Sequence, residues 1–251
     1  MREPGLFVDV GNTRLKWGVW AQGAWRRKGH LPVADARGIE QSLAGVRPGC
    51  TWVSCVAGAA VRAELAAALS ALGGEVHWLT PSGQAYGLRL EYDEVTRFGA
   101  DRYAMLVACV QRRFAPCVVV GAGTAVTVDA VDAAGEFLGG LILPGPRLMR
   151  QALVSATAGV RSVAGRLRDF PRSTGDAVES GIWRALAGAV EDMRLRLEGV
   201  VGTRPAVVVS GGEAQALARC LAAPRRVVVD LVLEGLLCIA RMQAEGRQAC
   251  A

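Results

Sequence analysis

Hydrophobic positions fall into short runs and alternating stretches from the start of the chain. Leu6, Phe7 and Val8 form an apolar run ending at Asp9, and a polar turn then leads into Leu15, Trp17 and Val19 alternating with Lys16 and Gly18. That spacing predicts strand, tight turn, strand. Gly23-Ala24-Trp25 predicts a further turn and strand in a meander, and Val46-Arg47-Pro48-Gly49 leads into an apolar strand from Thr51 to Val56. Ala59 to Leu72 reads as a helix, with Val61, Leu65 and Leu72 on one side and Gly73-Gly74 ending it. Val76 to Leu79 reads as a strand and Thr80 to Gly83 as a loop. Leu88, Leu90 and Tyr92, alternating with Arg89 and Glu91, read as an edge strand. A helix from Tyr103 to Arg113 follows, its apolar face Tyr103, Leu106, Val107 and Val110, which sets Asp101 at or just before a helix N-terminus.

The pattern then begins again. Val118, Val119 and Val120 run into Gly121-Ala122-Gly123-Thr124-Ala125, and an alternating strand follows from Val126 to Val131. Two strand, glycine-threonine turn, strand units in one chain predict a duplicated half-fold. Phe137 to Gly145 continues as strand and tight loop, then a helix from about Pro146 to Ala158, and Pro171 to Gly175 is an irregular connection. The clearest helix is Asp176 to Glu198, with Ile182, Leu186, Val190, Met193 and Leu197 on one face. Strand Ala206 to Ser210 leads through Gly211-Gly212 into a helix from Glu213. Val227 to Leu231 predicts a last strand and Val232 to Met242 a closing helix. Antiparallel strands followed by strand and helix alternation predict mixed sheets in an α/β fold, with halves at 1–114 and 115–251.

Size and composition agree with two halves of ordinary size. The 251 residues are 51% apolar and 21% charged, which excludes wholesale disorder. No apolar run reaches membrane-spanning length, and Glu3 and Pro4 ahead of a short strand are no signal-peptide layout, so the expected location is the cytoplasm, with no membrane association. The seven cysteines, Cys50, Cys55, Cys109, Cys117, Cys220, Cys238 and Cys250, are never spaced Cys-x-x-Cys and sit mostly among apolar neighbours, the pattern of reduced structural thiols. With only His30 and His77 present, a zinc site or a histidine relay is disfavoured, and in an enzyme of this sequence proton transfer would fall to a carboxylate. A net charge of +6 suits an anionic ligand, and it also suits nucleic acid. The basic clusters Arg26-Arg27-Lys28 and Arg225-Arg226 are short and lack an aromatic strip, which favours a solvated surface.

Several stretches carry candidate chemistry, each with a plainer alternative. In the first turn Gly11 admits close ligand approach, Asn12 and Thr13 offer donors to a phosphate, and Asp9 could hold a hydrated divalent cation; the same residues also make an ordinary hairpin turn. Asp101 suits a helix N-cap, and it suits a carboxylate that accepts a proton from a substrate hydroxyl, with Arg102 beside it to pair with an acidic substrate. A helix dipole that keeps Asp101 ionised weakens it as a base, but in a loose phosphoryl-transfer transition state orientation of the hydroxyl matters more. Gly211-Gly212 could pass a nucleobase or ribose on backbone alone, or be a strand-to-helix turn. No Gly-x-x-x-x-Gly-Lys-Ser/Thr stretch exists, Val126 stands where a dinucleotide fingerprint needs its third glycine, and the protein-kinase signatures are missing.

Taken together, Asp9-Val10-Gly11-Asn12-Thr13-Arg14-Leu15-Lys16, Gly99-Ala100-Asp101-Arg102, Gly123-Thr124-Ala125-Val126-Thr127, Gly139-Gly140 with Pro144-Gly145, and Gly211-Gly212 resemble the type III pantothenate kinases. These belong to the superfamily of acetate and sugar kinases, heat-shock protein 70 and actin, and the nearest likeness is to the Bvg accessory factor branch. The resemblance covers essentially the whole chain in order. It implies a duplicated ribonuclease H-like fold, with two mixed five-stranded sheets flanked by helices, and ATP-dependent phosphorylation of pantothenate with Mg2+. It also implies that Asp9 to Lys16, Thr124, Gly211 and Gly212 bind ATP, with Asp9 at the divalent cation. Asp101 would be the proton acceptor, and Tyr92, Gly99, Ala100, Asp101, Arg102 and Thr174 would hold pantothenate. A homodimer and a requirement for potassium or ammonium are implied as well.

One position departs from the family pattern. Relatives carry an aspartate, associated with the monovalent cation, two residues before the glycine-threonine turn, where this chain has Gly121. Loss of that carboxylate removes a hard oxygen ligand and a charge, so backbone carbonyls or the other subunit would have to supply the site. The basic balance, Gly121 and the accessory-factor likeness motivate an alternative, a nucleotide-responsive regulator acting on transcription through a protein or DNA partner.

Overall fold

The computed structural model describes residues 5–157 and 164–249, which group into two compact units. The first contains 5–112 together with 230–249, and the second 113–157 with 164–229. The closing helix therefore belongs with the first unit, whereas the sequence pattern assigned everything after 114 to the second half. The physical reason is packing: that helix lies on another helix and on two strands of the first sheet.

In the first unit, strands β1 (Gly5–Val10), β2 (Arg14–Ala21), β3 (Ala24–Pro32), β4 (Cys50–Cys55) and β5 (Glu75–Trp78) form a sheet in the order β3-β2-β1-β4-β5. β2 runs antiparallel to β1 and β3, while β1, β4 and β5 are parallel. The period of two sorts β1 onto two faces. Leu6, Val8 and Val10 join Leu15, Trp17 and Val19 of β2 in a core closed by Ile39 of α1 (Ile39–Ser42) and Leu65 and Leu69 of α2 (Ala59–Leu72). Phe7 and Asp9 take the opposite face, where α7 (Leu231–Ala249) packs on β1 and β4, and against α3 (Ala100–Gln111). A short hairpin of β6 (Gln84–Ala85) and β7 (Leu88–Leu90) precedes α3.

The second unit repeats this plan. β8 (Cys117–Ala122), β9 (Ala125–Val131), β10 (Glu136–Pro144), β11 (Ala206–Ser210) and β12 (Arg225–Val227) lie in the order β12-β11-β8-β9-β10. β9 is antiparallel to β8 and β10, and β8, β11 and β12 are parallel. Each unit thus has the strand order 3-2-1-4-5 and the same sense of every pairing, which is the duplicated ribonuclease H-like half-fold. Helices α4 (Pro146–Ala156), α5 (Thr174–Val201) and α6 (Ala214–Arg219) complete it. α5 starts where the Ser173 hydroxyl accepts from the Asp176 amide at 3.2 Å, and ends at Gly202 in the left-handed region (φ 73°). Its face of Ile182, Trp183, Leu186, Val190 and Leu197 covers Val118, Val120, Val126, Val128, Val207 and Val209. Truncation of such a side chain, Leu186→Ala for example, costs about 2–5 kcal/mol.

The predicted α2 and β11 match the structure end to end, and three differences have local causes. α3 begins three residues before Tyr103, because Gly99 serves as its N-cap. Gly121 and Ala122 continue β8 instead of turning, since both pair with β9. The apolar run from Val227 to Leu231 splits between the end of β12 and the start of α7, with Asp230 at φ 55° between them. The predicted end of α4 at Ala158, and Cys250, lie outside the described residues. Cys50, Cys55, Cys109, Cys117, Cys220 and Cys238 are thiols rather than disulfide partners.

Candidate active site

In the first unit the turn between β1 and β2 closes with the Gly11 amide donating to the Arg14 carbonyl at 3.0 Å. Asn12, Thr13 and Arg14 are exposed at its tip, whereas Val10 and Leu15 are fully buried, so a ligand there would meet only their main chain. Asp9 lies directly opposite Lys16 in the β1/β2 register, on the face covered by α7. Burial pushes the Asp9 carboxyl up to about 7 from 3.8; the Asp101 and Asp230 charges push the same way, and Lys16 opposes them. This carboxylate is short of positive charge. Among the described residues no cluster of three or more acidic, histidine or cysteine side chains forms a complete metal cage. A magnesium ion, which keeps its waters and takes one or two carboxylates plus phosphate oxygens, fits that donor set at Asp9.

Asp101 is the second residue of α3, inside the first turn, and is not its cap. Its Oδ1 accepts from the Arg102 amide at 2.8 Å. A side chain on the capping Gly99 would stand 2.7 Å from that same oxygen, so the glycine makes room for the carboxylate. The two influences on Asp101 compete: burial raises its proton affinity, while the Arg102 amide and the Arg102 charge lower it, and burial prevails. Helix placement therefore orients the group without making it a poor base. Arg102 is buried with its guanidinium 4.2 Å from the Phe98 ring centroid, and Phe98 meets Tyr92 edge to face at 5.1 Å. Ala100 is buried, and Tyr92, beyond the end of β7, is 42% exposed.

In the second unit the corresponding turn is built from backbone. Gly123 donates to the Ala125 carbonyl at 3.0 Å and Gly145 to the Thr124 carbonyl at 2.9 Å. A Cβ on Gly145 would lie 2.2 Å from the Gly123 oxygen, closer than any side chain could come. Gly211 follows β11 with φ +111°, and its Cβ would stand 2.2 Å from the Ala122 oxygen; the Glu213 amide donates to that oxygen at 3.0 Å. Gly212 has open space beside it. The Thr124 turn and the Gly211-Gly212 pair thus sit at the carboxyl ends of neighbouring parallel strands, where open α/β sheets bind ligands. Thr174 is the exposed first residue of α5, not part of an irregular connection.

The family model for type III pantothenate kinases matches residues 5–196. The chain belongs to this family. A type III pantothenate kinase from Nitrosospira multiformis is 41% identical over 241 residues, covering 96% of this chain and 92% of the relative. One from Aromatoleum aromaticum is 42% identical over 241 residues, covering 95% and 98%. Among solved structures, a conserved candidate Baf family transcriptional activator from Campylobacter jejuni aligns with a TM-score of 0.64 at 22% identity, covering 96% of this chain and 99% of that one. A ROK hexokinase from Thermus thermophilus aligns with a TM-score of 0.54 at 16% identity, covering 97% and 99%. At such identities these structures speak for the fold, that of the sugar-kinase and actin group.

In this type III pantothenate kinase family member, the sequence motifs gave no prominence to two charged residues that the fold brings to Asp9's neighbourhood. Asp230 binds Lys16 through one carboxylate oxygen (3.1 Å) and Lys28 through the other (3.3 Å). Asp230 stands 214 residues from Lys16 along the chain, so no local spacing could have linked them.

Proposed function

We propose that the protein catalyses ATP-dependent phosphorylation of pantothenate to 4′-phosphopantothenate, the first step of coenzyme A biosynthesis. Family membership over nearly the whole chain carries this reading. As the primary hydroxyl oxygen of pantothenate bonds to the γ-phosphorus, the bond from that phosphorus to the ADP oxygen breaks, and the hydroxyl proton passes to Asp101. A buried carboxylate of raised proton affinity, held by the first turn of α3, supports that assignment.

Residues Asp9 to Lys16, with Thr124, Gly211 and Gly212, are the proposed ATP contacts. Tyr92, Gly99, Ala100, Arg102 and Thr174 are the proposed pantothenate contacts, with Arg102 the proposed partner of the substrate carboxylate. A divalent cation at Asp9 would neutralise phosphate charge when bound. Potassium or ammonium is the proposed monovalent ion, bound weakly because Gly121 brings no carboxylate to it, a homodimer is the proposed assembly and the cytoplasm the proposed location. Among the described residues no helix is long and apolar enough to cross a membrane. The regulatory alternative is not favoured by relatives named as kinases.

The test is ADP release from purified protein with ATP, Mg2+ and pantothenate, with the phosphorylated product identified by mass. Release that is absent, or indifferent to pantothenate, would reject the proposal.

A further inference from the structure

On the face of the first sheet that carries Asp9, β2 presents Lys16 and Gly18, and β3 presents Lys28 directly opposite Gly18. The two lysines are thus diagonal neighbours, with no side chain at Gly18 between them. Trp25 fills that space: a Cβ on Gly18 would meet its ring at 2.7 Å. Lys28 lies over the same indole with its Nζ 4.8 Å from the ring centroid. The Trp25 Nε1 donates to Glu234 of α7 at 2.9 Å, and the Glu234 amide donates to the Asp230 carbonyl at 3.2 Å. Asp230, in a left-handed conformation just ahead of α7, then spends one oxygen on each lysine.

The charge count gives this arrangement a purpose beyond pinning a helix. A carboxylate bound to Lys16 alone would cancel its charge, whereas one shared with an anchored second lysine leaves these three groups with one net positive charge, which faces Asp9 across the β1/β2 pair beside the phosphate turn. A lysine side chain left loose must also lose about 2 kcal/mol of rotamer freedom when it binds. We propose that Asp230 is a positioning residue that fixes Lys16 for the triphosphate, with Lys28 as the counter-charge that keeps Lys16 electrostatically available. This rests on the kinase reading, in which Asp9 to Lys16 receive the ATP phosphates.

The test uses the full chain in two measurements: steady-state kinetics, and binding of a non-hydrolysable ATP analogue followed by tryptophan fluorescence. Asp230→Asn keeps the shape, and asparagine accepts a left-handed backbone. The expected result is an ATP KM about 5- to 20-fold higher, matching weakening of analogue binding, kcat within about twofold and an unchanged pantothenate KM, the signature of lost uniform binding. Asp230→Glu, which keeps the charge but is less suited to the left-handed backbone, should restore part of the binding. In a Lys16→Met background Asp230→Asn should add less than about twofold, because the two act as one unit. Lys28→Met, a partly exposed change that leaves the core alone, should also raise the ATP KM, and it stands in if Asp230→Asn folds poorly. An unchanged or lower ATP KM in both Asp230→Asn and Lys28→Met, or full additivity with Lys16→Met, overturns the proposal. Wild-type protein that binds the analogue, with that binding weakened as expected in the variants, but never phosphorylates pantothenate would reject the kinase reading alone. Wild-type protein that does not bind the analogue would reject both.

Discussion

Around the turn after β1 the first unit gathers ionisable side chains: Asp9 opposite Lys16, Asp101 in the first turn of α3, and Asp230 between two lysines. Around the turn after β8 the second unit gathers main chain, with Gly145 held on Thr124 and Gly211 pressed against Ala122. The strand order and pairing senses are the same in both. The scaffold is thus the same in both while the turns differ: the first is surrounded by paired and buried charged side chains, the second by close backbone approach. In the first unit the carboxyls of Asp9 and Asp101 both have raised proton affinity. If the division is real, charge substitutions should act on chemistry in the first unit, and glycine substitutions on shape in the second.

The largest expected effect is at Asp101. Asp101→Asn keeps the size of the side chain and removes the proposed proton acceptor, so turnover should fall by about 10²–10⁴-fold, the usual contribution of a positioned acid or base. The melting temperature should change little, because an amide oxygen can still accept from the Arg102 amide. Turnover within about threefold of wild type would remove Asp101 from the chemistry and with it the main asymmetry between the units.

Asp9 predicts a pH dependence. Folded, its carboxyl holds a proton up to about pH 7, whereas the unfolded chain releases it near the ordinary value of 3.8. Below the lower value both states are protonated and the site is neutral towards stability. As pH rises through the interval the unfolded state ionises first, so stability falls, by an amount on the order of 2–4 kcal/mol once pH passes about 7. Asp9→Asn lacks this loss. Urea unfolding from pH 4 to 8 should therefore show the variant equal to wild type at the acidic end and more stable at the basic end. Added Mg2+ with ATP should narrow the gap by favouring the ionised form. Parallel curves would show that Asp9 is not under this electrostatic load.

These contrasts also explain what could be read from sequence. The ribbon pattern was legible because burial of one sheet face forces alternation, as Leu15, Trp17 and Val19 show, and α2 was legible because Gly73 and Gly74 end it. Asp101 stood out through its neighbours Gly99 and Arg102. The reach of β8 through Gly121-Ala122 was not legible, since glycine and alanine carry no strand signal and only pairing, of both with β9 and of Gly121 with β11, fixes them. The separation of β12 from α7 was hidden for a similar reason: Val227 to Leu231 is apolar enough for either element, and the left-handed residue that divides them is an aspartate. Its partners come from strands at the other end of the chain.

Paired glycine variants sharpen the shape half of the comparison. A Cβ at Gly145 would stand 2.2 Å and 2.6 Å from the Gly123 and Thr124 oxygens, so Gly145→Ala must push the turn away and should cost about 1–3 kcal/mol with a higher ATP KM. At Gly11 the nearest atom is the Arg14 oxygen at 3.4 Å, an ordinary contact, so Gly11→Ala should cost less than about 1 kcal/mol. Equal losses at the two sites would mean that the first turn is as tightly shaped as the second.

The smallest effect expected concerns the monovalent ion. Gly121 brings no charge to the end of β8; its β9 partner Thr127 has a buried hydroxyl that makes no hydrogen bond, a neutral ligand suited at most to weak coordination. Replacing potassium by sodium at constant ionic strength should therefore change kcat by less than about threefold. A larger response would mean that a carboxylate other than one at position 121 serves the ion, and that the second unit carries ionic chemistry after all. Asp129, fully buried on β9 and on the same face two residues beyond Thr127, would then be the side chain to substitute, because Asp129→Asn should abolish the potassium response while leaving turnover in sodium where it was.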